Sequence, residues 1–113
     1  MAPPSQLAIA TSAVTRLVKE EASYHKELEQ QQARLEKLKQ VSSDEENAEW
    51  NLKQENRALD ETKAMFPQLR KRIQESLAKL EQQLAQGEQN SPEEVTKAQD
   101  AVASAKNAIK ETS

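Results

Sequence analysis

The chain has 113 residues, a formal net charge of −3 and no cysteine, which bounds it to one small domain and excludes disulfides, thiol chemistry and a cysteine-bound zinc. Ala, Glu, Lys, Leu and Arg make up 59 of the 113 residues against a single Gly; this is the composition of long helices, and the turn residues that a sheet protein needs about every 8 to 12 positions are missing. The 16 basic and 19 acidic residues leave no bulk positive field for nucleic acid, and no apolar run nears the roughly 18 residues of a membrane span. The N-terminus carries no signal-peptide core, so the expectation is a cytoplasmic chain with no nucleic-acid or membrane partner.

The first predicted helix covers about residues 5–41. Its best heptad phase puts Val14, Glu21, Leu28 and Leu35 at a, and Leu17, Tyr24, Gln31 and Leu38 at d. Glu21 and Gln31 interrupt the seam as polar residues of the kind that set register. The second helix is predicted over 44–86, opened by a capping box of Ser43 and Glu46. Its a positions are Leu52, Leu59, Phe66, Ile73 and Leu80, with Leu69, Leu77 and Leu84 widening the stripe in its second half and Glu55 and Thr62 narrowing the first. Pro67 lies inside this helix, and because the seven-residue register continues across it a kink is expected rather than a break.

Gly87 is the predicted helix stop, and Ser91-Pro92-Glu93-Glu94 restarts a third helix over 92–110. Its seam is Val95, Ala98, Val102, Ala105 and Ile109, small enough for close packing. Short connections make successive helices antiparallel. Facing residue numbers of the first two helices then add to about 90, matching Leu17 with Ile73, Tyr24 with Phe66, Gln31 with Leu59 and Leu38 with Leu52. At about 1.5 Å per residue the first helix spans about 55 Å and the third about 28 Å. The expected fold is all-α: an elongated antiparallel three-helix bundle with left-handed, coiled-coil-like packing and a shorter third helix, three helices thick at one end and two at the other.

Little in the chain could carry catalysis. His25 is the only histidine, no glycine-rich phosphate loop exists, and the carboxylates sit beside Lys and Arg on solvated faces. Neither enzyme activity nor a metal or cofactor is expected. A binding surface is the better reading. Arg70-Lys71-Arg72 is a compact basic run in a net acidic chain; Met65-Phe66-Pro67 joins a flexible and an aromatic side chain to a distorted backbone. Trp50 is off the seam, where it either covers the end of the first helix near Val41 or stands exposed as an anchor. The two-helix end lacks a third partner for its stripe. A coiled-coil spacer or oligomerisation segment is the competing reading of the same residues.

Arg16-Leu17-Val18-Lys19-Glu20, Tyr24 with Lys26-Glu27, Gln30-Gln31 and Leu35-Glu36-Lys37-Leu38 resemble the tubulin-binding cofactor A family. The second helix carries the likeness further through Trp50 to Lys53, Glu61 with Met65-Phe66-Pro67, and Arg70-Lys71-Arg72-Ile73. The tracts run colinearly over about residues 13–85. Trp50 stands where the family commonly has tyrosine and Phe66 where it commonly has isoleucine, both apolar exchanges. The resemblance implies a three-helix chaperone that uses no nucleotide or metal. It would capture β-tubulin after chaperonin-assisted folding and pass it on for αβ-heterodimer assembly, at the cytoskeleton's service in the cytoplasm. Both monomers and homodimers fit it. Partner contact is expected at Arg70, Lys71, Arg72, Met65, Phe66 and Trp50, and at Tyr24 and Lys19 on the tracts that carry the resemblance.

Overall fold

Three helices form where the heptad pattern lies: α1 (Gln6–Gln40), α2 (Ala48–Ala85) and α3 (Pro92–Thr112). The computed structural model describes residues 4–40, 47–86 and 90–112, and no strand occurs among them. Serine caps set two of the starts. Ser5 Oγ accepts from the Ala8 N–H at 3.0 Å, and Ser91 Oγ accepts from the Glu94 N–H at 3.2 Å, each satisfying an N–H that has no partner within its helix. Pro92 takes the first position of α3, where a missing N–H costs nothing. The predicted cap at Ser43 and Glu46 and the stop at Gly87 lie outside the described residues.

Helix α2 continues through Pro67 without a break. The ring removes the donor that the Lys63 carbonyl would use, but both residues are exposed, so that carbonyl can turn to water.

Tertiary contacts divide the chain into two compact units. The first takes residues 1–21 and 67–113, and hence the start of α1, the second half of α2 and all of α3. Its core joins Leu7, Val14 and Leu17 to Ile73, Leu77 and Leu80 and to Ala98, Ala101, Ala105 and Ala108. The α3 seam differs from the predicted one. Ala101 and Ala108 occupy deep positions, while Val95, Val102 and Ile109 pack at the flanks. Where helices approach closely, the smallest side chains take the centre and larger ones move aside. Ser5 Oγ donates to Glu94 Oε2 at 2.9 Å and sets α1 and α3 parallel at their starts.

The second unit is residues 22–66, a pair of helical segments from α1 and α2. It buries Leu35, Leu59 and Phe66 together with polar Gln31 and Thr62. Thr62 Oγ1 donates back to the Ala58 carbonyl at 3.1 Å, which satisfies the hydroxyl without a neighbour. Leu28, Leu38 and Leu52 are only half-buried. The cross-helix pairs Arg34–Glu55 and His25–Phe66 have residue numbers adding to 89 and 91, and Glu20–Arg72 of the first unit adds to 92. That is the predicted antiparallel register.

Candidate partner-binding surfaces

In the first unit, α2 presents the basic run on the flank of its core stripe. Arg70 is half-buried, while Lys71 and Arg72 are exposed. Arg72 Nη1 lies 4.0 Å from Glu20 Oε1 of α1, with the arginine side chain 59% exposed. An ion pair this open is worth at most about 1 kcal/mol, so it restrains Arg72 without removing it from a partner's reach. Arg72 also lines an open groove between α1 and α2 of about 420 Å³, floored by Ala10, Ala13 and Leu17. Lys19 is exposed but faces elsewhere: it lines a groove between α1 and α3 of about 670 Å³. Sequence spacing alone did not separate these two faces, because the split depends on where α3 lies.

In the second unit, Phe66 is buried and its ring packs on His25, with centroids 4.5 Å apart and the planes at 33°. Met65 and Tyr24 are half-buried. Phe66 is therefore part of this unit's packing, and a partner reaches its neighbours sooner than its ring. Trp50 is 62% exposed and stands out from α2, the geometry that an anchor-type aromatic would need. It is sixteen residues from Phe66 on the same helix, about 24 Å along the axis, so the two cannot form one patch. Arg34 Nε donates to Glu55 Oε1 at 2.9 Å beside a shallow groove bordered by Leu38 and Asn51.

Among the described residues no three His, Asp or Glu side chains come together in a way that could hold a metal ion. No helix among them is long and apolar enough to cross a membrane. Sequence reasoning passed over Arg16 and Lys97, which share the α1–α3 groove with Lys19. The pairing of Arg16 with Lys19 was visible as a three-residue spacing, whereas Lys97 joins them only through the α1–α3 register.

Residues 2–102 match the family model described as tubulin binding cofactor A, so the likeness reaches into α3. A tubulin-specific chaperone A from Saccharomyces cerevisiae is 37% identical over 106 residues, covering 94% of this chain and 95% of that one. The tubulin-folding cofactor A of Arabidopsis thaliana is 36% identical over 101 residues, covering 89% and 86%. The solved structure of a beta-tubulin binding post-chaperonin cofactor superposes with a TM-score of 0.82 at 35% identity, over 94% of this chain and 99% of that one. The identities, the near-complete coverage and the shared helical fold place this chain in the tubulin binding cofactor A family.

Proposed function

We propose that this chain is a β-tubulin-binding folding cofactor, which holds β-tubulin after chaperonin-assisted folding and releases it for αβ-heterodimer assembly. The observation that carries the reading is the likeness to the beta-tubulin binding post-chaperonin cofactor, at a TM-score of 0.82 over 94% of this chain. The physical character of the chain supports it. Rigid helices with a mixed-charge surface can cover a partner's interface without making or breaking a bond, so neither catalysis nor a cofactor is needed. Such work belongs in the cytoplasm, where tubulin folds. The basic residues Arg70, Lys71 and Arg72 and the exposed Trp50 are expected to engage the partner, and so are Lys19, Tyr24, Met65 and Phe66.

Size-exclusion chromatography of the purified chain with β-tubulin released from chaperonin tests the reading. A shifted, co-eluting complex is expected. A chain that elutes apart from β-tubulin while forming its own homodimer or larger assembly would replace this function with that of a coiled-coil spacer.

A further inference from the structure

Helices α1 and α3 leave between them an open groove of about 670 Å³, walled by Arg16, Lys19 and Thr15 on one side and Lys97, Asp100 and Ser104 on the other. The charges around it are distributed unevenly. Arg72, Arg34 and Lys106 each reach a carboxylate of a neighbouring helix. Among the described residues Arg16, Lys19 and Lys97 have no such partner, although all three are exposed and the chain is net acidic. Other exposed cations among the described residues also lack an ion pair, but here three converge on one groove. Its own lining holds the single carboxylate of Asp100, with Glu93 and Glu94 beside Lys97 at its end, and that convergence favours an anionic occupant.

Spacing defines the anion. The bond from Ser5 to Glu94, 89 residues apart, aligns α3 with α1, so Lys97 lies level with Ala8, Asp100 with Thr11 and Ser104 with Thr15. Lys97 is then about 12 to 16 Å along the axis from Arg16 and Lys19. A lone phosphate or carboxylate meets both ends only if the Lys97 and Arg16 side chains both lean fully along the groove towards it. An extended peptide, at about 3.3 Å per residue, covers the distance in four or five residues. Between the ends, Thr15 and Ser104 offer hydroxyls to a peptide backbone, and Asp100, about 4.5 Å along the axis from Lys97, repels a negative charge just inside that end.

We propose that the α1–α3 groove docks an extended acidic segment of a partner protein. Carboxylates at one end of the segment pair with Lys97, those four or five residues away pair with Arg16 and Lys19, and neutral residues pass Asp100. This preference stands whether β-tubulin or another protein supplies the segment.

The test is an amide-shift titration of the full, ¹⁵N-labelled chain with the hexapeptide Glu-Glu-Ser-Gly-Glu-Glu at low salt. Shifts concentrated at residues 11–19 and 97–104 are expected. Lys97→Glu and the pair Arg16→Glu, Lys19→Glu should each weaken binding tenfold or more with helicity unchanged, and Asp100→Asn should tighten it severalfold. No shifts, shifts confined to other residues, or equal binding by inorganic phosphate would overturn the proposal. So would a thymidine hexanucleotide that binds where the peptide does not. Repeating the β-tubulin chromatography with Lys97→Glu, which lies outside the expected tubulin contacts, keeps the two readings apart. A Lys97→Glu chain that loses the hexapeptide yet still co-elutes with β-tubulin upholds the groove and leaves the tubulin function standing. A wild-type chain that binds the hexapeptide but not β-tubulin upholds the groove and removes that function.

Discussion

The two units use the same pair of helices and the same seven-residue repeat, yet bury it differently. In the first, Val14, Ile73 and Leu80 are fully sequestered, because α3 covers the third side with alanines. In the second, Leu28, Leu38 and Leu52 sit at equivalent seam positions but remain half-buried, and Gln31 and Thr62 share the interior with Leu59. A heptad pattern thus specifies which face turns inward, while the number of neighbours decides how completely it leaves water.

The largest expected effect tests that difference directly. Ile73→Ala leaves a void in a closed core and should cost on the order of 2 to 5 kcal/mol in urea unfolding. Leu52→Ala, already partly wet, should cost markedly less. Equal losses would show that burial in the two units is worth the same and that the comparison fails.

Next in size is partner binding. Changing Arg70, Lys71 and Arg72 together to Glu should weaken β-tubulin affinity tenfold or more, about 1.4 kcal/mol, with the loss shrinking as salt rises. These residues flank the core, so the variant should keep its helicity. An unchanged affinity at low salt would move the contact from the first unit towards exposed Trp50 in the second, where Trp50→Ala becomes the decisive variant.

Ser91→Ala removes the Oγ that accepts from the Glu94 N–H and should cost about 1 kcal/mol, weakening the α3 that distinguishes the first unit. The smallest expected effect is a gain. Gln31 Oε1 is buried and no donor reaches it among the described residues, so Gln31→Leu should stabilise the second unit by about 1 kcal/mol. A raised urea midpoint checks it. A lowered one would mean that Gln31 holds the helices in register.

Much of this architecture was legible in the residues. The a-position series Leu59, Phe66, Ile73 and Leu80 is buried throughout, and Ser91-Pro92 begins α3 as its chemistry dictates. Leu7 escaped notice because the seam was begun at Val14, one heptad late, although Leu7 is 1% exposed. Ala101 and Ala108 escaped because hydropathy ranks Val102 and Ile109 above them, while close helix approach selects for size. Of the candidate binding residues, the exposure of Lys71, Arg72 and Trp50 follows from their off-seam positions. The burial of Phe66 follows from its a position. That Lys19 shares a groove with Lys97 could not be read, because a parallel α1–α3 register leaves no mark in either helix alone.

The hairpin register also orders the molecule in time. Contacts nearest the α1–α2 connection close short loops: Arg34 and Glu55 are 21 residues apart, whereas Ser5 and Glu94 are 89 apart. Loop-closure entropy grows as about (3/2)RT ln n, so the longer closure costs about 1.3 kcal/mol more. Docking α1 onto α3 is therefore the costly closure, whereas the second unit's helix pair and the α2–α3 pair of the first unit, with Glu81 and Lys106 25 residues apart, both close cheaply. Folding kinetics should reflect this, with Leu59→Ala slowing folding and Leu7→Ala, at the start of α1, mainly speeding unfolding. Stopped-flow chevrons in which the two variants exchange these roles would reverse the order.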